Sequence, residues 1–190
     1  MYNPRKASQI VAFFALKTAQ KRISVLKAVK LVYLADRENI ARCGFPLLEE
    51  RRVSMPLGPV NSYTYNHIKG EVFPKYDGGW SEFVADRADH NVGLASDSMS
   101  IDDLDELSDA DVATLEAVWA KFGDMTQWEL VEYAHDKANV PEWEDPKETG
   151  QNSKTIELEK MLAVIGVPFH KEHAAEMESA GSAVRFLKGL

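Results

Sequence analysis

Residues 24–42, SVLKAVKLVYLADRENIAR, decide the fold of this chain. Ser24 can cap a helix with its hydroxyl, no Gly or Pro interrupts the stretch, and Gly44 is placed to end the helix. At 100° per residue, most apolar side chains fall on one broad face, whereas Leu31 and Leu34 lie on the opposite, polar side together with basic residues such as Lys30. The stretch therefore predicts a central helix that is covered on more than one side.

One carboxylate, Asp36, lies in the middle of the apolar face of this helix. A buried carboxylate needs hydrogen-bond donors or a cation. We expect Asp36 to be buried and bonded to the 56–61 loop or to a nearby basic side chain, which is a structural role. The alternative is an acid/base group or a receptor for an arginine of a partner, but no second catalytic group lies nearby in the sequence.

The 190 residues suit one domain with an appendage, and the hydrophobic fraction of 45% is ordinary for a globular protein. No apolar run approaches the length of a membrane helix, so we expect no membrane association and a cytoplasmic location. The single cysteine, Cys43, excludes an intramolecular disulfide and a cysteine-based zinc site.

The net charge of −8 is unevenly distributed along the chain. Residues 1–60 carry +7 and residues 61–190 carry −15, so the acidic part repels phosphates and nucleic-acid binding is not expected. The acids that we expect to be most exposed precede a helix cap at Ser108: Asp102, Asp103, Asp105 and Glu106. They are either a docking surface for a basic partner or a solvated loop.

The patterns predict a predominantly helical α+β fold, a compact helical domain with a small β-hairpin. The expected helices cover residues 4–20, 24–42, 60–69, 109–122, 127–138 and 154–165, and the expected hairpin covers 80–96. The domain is expected over 1–168. Residues 169–190 then form a helical tail, packed on the domain or extending from it and divided at Gly181.

Little in the sequence indicates catalysis. It contains no Gly-x-Ser-x-Gly elbow and no Gly-rich phosphate loop. His170 and His173 lie three residues apart on a predicted helix, but without the H-E-x-x-H spacing of catalytic zinc sites. We expect neither a cofactor nor a metal, and His135 is expected to be structural. A small metal-dependent hydrolase that uses His135 or the His170/His173 pair remains a less favoured alternative.

Three stretches in order resemble the Panacea domain of the SocA-like antitoxins: LKAVKLVYLAD at 26–36, MPLGPV at 55–60 and TQWELVEYAHDKANVPEW at 126–143. The matching residues are Lys30, Leu31, Tyr33, Ala35 and the adjacent Asp36; Gly58, Pro59 and Val60; Glu129, Leu130 and His135; and Trp143. The resemblance covers about residues 7–167. It departs from the family pattern at Leu57, where an aromatic is common, and at Glu142, which separates Pro141 from Trp143.

The resemblance implies a mainly helical domain of bacterial or phage origin, and an antitoxin that neutralises a toxin encoded beside it by direct contact. The motif residues would be chiefly scaffold, and specificity for the toxin would lie in exposed positions outside the motifs. The partner would be the cognate toxin. The antitoxin would form a homodimer, or a hetero-oligomer with the toxin. One alternative keeps the same partner, namely an adaptor that delivers the toxin to a protease.

Overall fold

The computed structural model describes residues 2–72, 77–85 and 87–188. Its helices are α1 (Pro4–Leu16), α2 (Val25–Cys43), α3 (Ser62–Lys69), α4 (Asp109–Phe122), α5 (Gln127–His135), α6 (Leu158–Ile165) and α7 (His170–Lys188). Its strands are β1 (Arg22–Ser24), β2 (Arg52–Met55), β3 (Gly58–Asn61), β4 (Asn91–Gly93) and β5 (Lys154–Ile156). The predominantly helical α+β fold is confirmed.

Helix α2 is the centre of the fold. The Ser24 hydroxyl accepts the N–H of Lys27 at 3.1 Å and begins the helix, and Gly44 ends it in the left-handed conformation at φ 80°. Helices α1, α3, α4, α5 and α6 and strand β3 all contact α2. Leu31 and Leu34 are both buried, so the helix is covered on more than one side, as predicted.

Two small antiparallel sheets complete the domain. In the larger sheet the strand order is β3-β2-β5, and β2 and β3 form a regular hairpin in which Met55 lies opposite Gly58. In the smaller sheet, β1 pairs with β4. The larger sheet lies against α2 through β3, which brings the turn at 56–58 close to the central helix.

The prediction of two strands over 80–96 is wrong in its first half. Trp80–Glu82 is a 3-10 helix, and β4 pairs with β1 instead. Among the described residues of this segment, the isolated bridges Val84–Leu94 and Ala88–Asn91 link its two halves. Local bonds favour the turn, because the Asp77 carboxylate accepts the backbone N–H of Ser81. The regular hairpin of the fold is β2–β3.

Several helix ends differ from the predicted ones. Helix α1 ends at Leu16 instead of 20, where the Thr18 hydroxyl donates to the carbonyl of Ala15. Helix α5 ends at His135 instead of 138, where the Asp136 carboxylate accepts the N–H of Ala138 and forms a turn. Helices α3 and α6 begin later than predicted, because the residues before them belong to β3 and β5.

Helix α7 passes through position 181 without a break, so the predicted division at Gly181 is wrong. The helix is attached near its start, where Nε2 of His173 lies 2.8 Å from the carbonyl oxygen of Gly44 and Ala174 is buried. Residues 189–190 of the predicted tail lie outside the described residues. No helix among the described residues is both long and apolar enough to cross a bilayer.

Candidate functional site

The candidate site is the junction of α2 with the β2–β3 turn, α5 and the 140–143 segment, where the motif residues meet. Lys30 lies at its centre and is only 1% exposed, so its placement on a polar face was wrong. Its Nζ donates to the carbonyl oxygen of Pro59 at 2.9 Å. Burial lowers the pKa of the Lys30 ammonium to about 7.

Gly58 makes the close approach of the turn possible. It adopts φ 97°, and a Cβ at this position would lie 3.0 Å from Nζ of Lys30 and 3.2 Å from Cβ of Ala134. Any side chain here would therefore be strained in its backbone and compressed between α2 and α5. The Gly-Pro-Val turn thus packs directly against Lys30, the lysine of the first motif.

Asp36 is buried and fully bonded. One oxygen accepts the N–H of Leu48 at 3.0 Å, and the other accepts Nε of Arg52 at 2.6 Å and Nδ2 of Asn61 at 3.3 Å. Nη2 of Arg52 lies 2.5 Å from the second oxygen. The carboxylate joins α2 to β2 and β3, which confirms the expectation that it bonds to the 56–61 loop or to a basic side chain.

A second buried carboxylate, Glu142, was not singled out as a functional residue from the sequence. Its Oε1 accepts the hydroxyl of Tyr33 and Nε of Arg37, both at 2.8 Å. Burial, followed by the charge of Glu142, raises the pKa of Tyr33. The signal in the sequence was the insertion of Glu142 between Pro141 and Trp143, which departs from the family pattern.

His135 and Trp143 stack at the edge of this junction, with ring centroids 4.2 Å apart and planes 16° apart. Nε1 of Trp143 donates to the carbonyl of Met55 at 3.1 Å, so Trp143 holds the long loop after α5 against β2. Burial, followed by the charge of Lys30, lowers the pKa of His135. The ring also lies close to the carbonyl oxygen of Pro56.

The remaining motif residues either pack in the core or cap a helix. The apolar ones, Leu31, Ala35, Val60 and Leu130, are all buried. Glu129 is exposed in the first turn of α5 and accepts the N–H of Thr126 at 2.7 Å as half of a capping box. The structure thus brings Lys30, Tyr33, Asp36, Pro59, His135 and Trp143 around α2 and leaves Glu129 on the surface.

The four acids that were expected to bind a partner are exposed, but three of them are bonded within the chain. Asp103 accepts the N–H of Ser100 at 2.8 Å. Asp105 accepts Nη1 of Arg5 at 2.5 Å, and Glu106 accepts Nδ2 of Asn3 at 2.9 Å. Asp102 makes no hydrogen bond to the described residues. A role of this segment in partner binding stays a prediction.

His135 and His173, two of the histidines considered as metal ligands, have different partners in the fold. His135 stacks on Trp143, whereas His173 bonds to Gly44. Within the described ranges, no group of His, Cys, Asp or Glu side chains is arranged to hold a metal ion.

A family model for the Panacea domain of SocA-like antitoxins matches residues 29–144, which is more than half of the chain. The chain belongs to this family. The matched range of the Panacea domain begins within α2 and ends after Trp143, so it includes every contact of the buried junction described above. No curated protein and no solved structure matches the chain.

Outside the motifs, the Panacea domain contains another buried carboxylate, Glu50, that caps a helix. Its Oε2 accepts the N–H groups of Tyr63 and Thr64 at 2.7 and 2.9 Å, and its Oε1 accepts the Thr64 hydroxyl at 2.5 Å. Asn61 occupies the usual cap position of α3 but makes no cap bond: its Nδ2 donates to Asp36, and its buried Oδ1 has no hydrogen-bond partner among the described residues. Burial, opposed by the bonds from Thr64, raises the pKa of Glu50 to about 7.

This raised pKa predicts a pH dependence of stability. The contribution of Glu50 is fully present below its ordinary pKa of 4.5 and is lost as the pH rises through about 7. The shift corresponds to about 3 kcal/mol. We therefore expect Glu50→Gln to gain about 2–3 kcal/mol relative to the wild type between pH 5 and pH 8, measured by urea unfolding. The exposed control Glu178→Gln should follow the wild type, and a Glu50→Gln variant that also does so would contradict the prediction.

Proposed function

We propose that this chain is an antitoxin that neutralises a cognate toxin by binding it directly. Its membership of the Panacea family supports an antitoxin role and a toxin partner in general. The observation that carries the direct-binding mechanism is that three polar motif side chains are bonded inside the domain: Lys30 to Pro59, Tyr33 to Glu142, and Asp36 to Arg52. Because these groups already have partners, recognition of a toxin is left to exposed side chains.

We also propose that residues 1–168 form the unit that binds the toxin, with 169–190 as an appended helical tail. Support comes from α7, which is attached near its start by His173 and Ala174 and is mostly exposed along its described side chains beyond them.

The exposed acids at 102–106 would add a long-range attraction for a basic toxin. That contribution is measured by the salt dependence of the association rate, using Asp102→Asn, which leaves the internal bonds of its neighbours intact.

The test is coexpression with the protein encoded by the adjacent gene. We expect that protein to arrest growth alone, growth to be restored by this chain, and the two proteins to purify together at a fixed stoichiometry, which also gives the oligomeric state. Neutralisation that persists in a host lacking its cytoplasmic proteases supports direct binding. A fall in toxin level that requires a protease would instead favour the adaptor. Growth arrest that persists with both proteins present, together with no complex, would contradict the proposed function.

A metal assay distinguishes the antitoxin from the remaining alternative, a metal-dependent hydrolase. Stoichiometric zinc in the purified wild-type chain, lost in His170→Ala, would favour a hydrolase over an antitoxin that acts by binding. We expect no such stoichiometric zinc, because Nε2 of His173 lies in hydrogen-bond contact with the Gly44 carbonyl, whereas His135 stacks on Trp143 at a different place in the fold.

A further inference from the structure

Trp128 is the most unusual exposed residue of the domain, because 57% of it is accessible. The other three tryptophans are partnered: Trp80 by the His67 ring, Trp119 by Lys27 and Trp143 by His135. Trp128 has neither a ring nor a cation against it among the described residues. Binding hot spots are enriched in tryptophan, which makes Trp128 a candidate for one.

Trp128 lies on a face of α5 that continues onto a neighbouring turn. Glu132 and His135 follow at i+4 and i+7 and share this face within about 60°. Gly58 of the β2–β3 turn packs on Ala134 of α5, since a Cβ on Gly58 would lie 3.2 Å from Cβ of Ala134, so the turn lies beside the C-terminal part of α5, roughly 9 Å along the helix from Trp128. At this turn Leu57 is 48% exposed. We call Leu57, Trp128, Glu129 and Glu132 the α5 surface.

The charge of the α5 surface indicates the chemistry of its partner. Glu129 and Glu132 are exposed beside Trp128, and Asp124 and Asp136 are exposed beyond the two ends of the helix. The Thr126 N–H holds the Glu129 carboxylate in place at 2.7 Å. An apolar centre with an acidic rim fits a basic surface, and the electron-rich indole face attracts a guanidinium or ammonium group.

We propose that the α5 surface is where the cognate toxin docks, with an arginine or lysine of the toxin over the Trp128 indole and a basic neighbour paired with Glu132. This inference rests on the proposed function and adds to it the location of the interface and the charge of the partner. The chain itself uses the same contact at Trp119, where Nζ of Lys27 lies 5.4 Å from the ring centroid.

The experiment measures the affinity of the purified chain for an inactivated form of the protein encoded by the adjacent gene, by calorimetry and stopped-flow. We expect Trp128→Ala to weaken binding about 30-fold or more, and Trp128→Phe to recover part of that loss. We expect Glu132→Arg to slow association and to reduce its salt dependence. The matched controls are Phe169→Ala, at an aromatic that is 80% exposed elsewhere, and Glu178→Arg, an equal change of charge on α7.

The outcomes separate the two proposals. If the wild-type chain binds and Trp128→Ala binds equally tightly, the α5 surface is overturned and the antitoxin function stands. Equal losses in Trp128→Ala and Phe169→Ala would also overturn it. If the wild-type chain does not bind at all, the proposed function fails and this inference fails with it. Because Trp128 is exposed, its variants should keep the wild-type unfolding midpoint, and thermal unfolding checks this.

Discussion

Replacing Asp36 by alanine is expected to lower the free energy of unfolding by about 3–5 kcal/mol, because it leaves the buried guanidinium of Arg52 without its counter-ion. The N–H of Leu48 and Nδ2 of Asn61 lose their acceptor in the same change. Urea unfolding at pH 7 measures the effect. The control is Asp102→Ala, at an exposed acid without a bond to the described residues, which should change stability by less than about 0.5 kcal/mol.

A double replacement tests whether the loss comes from the unpaired charge. Asp36→Leu combined with Arg52→Met removes both charges and retains volume, and it should recover most of the stability lost in the single Asp36 variant. The structural role of Asp36 would be contradicted if the single variant Asp36→Ala kept the wild-type unfolding midpoint but lost toxin binding. That combination would show that Asp36 faces the partner.

Lys30 is expected to make the domain more stable as the pH rises above neutrality. Its pKa is lowered from 10.5 to about 7 by burial, so its contribution is fully present above about 10.5 and is lost as the pH falls through about 7. The shift corresponds to about 4–5 kcal/mol. Lys30→Met keeps the apolar stem but does not titrate, so the wild type should gain about 3–4 kcal/mol relative to this variant between pH 7 and pH 10.

Urea unfolding of both proteins across this range measures the difference, and taking the difference cancels groups that titrate in both. The exposed control Lys171→Met should show no such change relative to the wild type. A constant difference between the wild type and Lys30→Met would mean that Lys30 keeps an ordinary pKa. Loss of the bond to Pro59 lowers the stability of the variant at every pH and does not produce a slope.

The central helix could be predicted from the sequence because its signals are local. Ser24 and Gly44 mark its two ends within the same stretch, and Asp36 stands out as a carboxylate on an apolar face. Helix α4 begins and ends as predicted for a related reason, since Ser108 and Asp111 form a capping box within four residues of sequence. Such features depend on neighbours three or four positions apart, which a single sequence displays.

The residues that were missed depend on distant partners. Lys30 was placed with the solvated basic residues because nothing near it in sequence shows that the Pro59 carbonyl will cover it. Glu50 caps a helix that begins twelve residues later, and Glu142 meets Tyr33 from the other end of the domain. Strands of three or four residues, such as β1 and β5, are too short for an alternating pattern to be recognised.

The position of β5 in the larger sheet has a consequence for how the protein is made. β5 pairs with β2, so one edge of β2 is covered by residues that leave the ribosome about 100 positions later. At about 5–20 residues per second, this strand has no partner on that side for about 5–20 s during translation. A Panacea domain built in this way completes its larger sheet only after residues 154–156 have emerged, and shorter nascent chains expose a strand edge to aggregation and proteases. Slower elongation lengthens in proportion the time for which this edge of β2 has no partner.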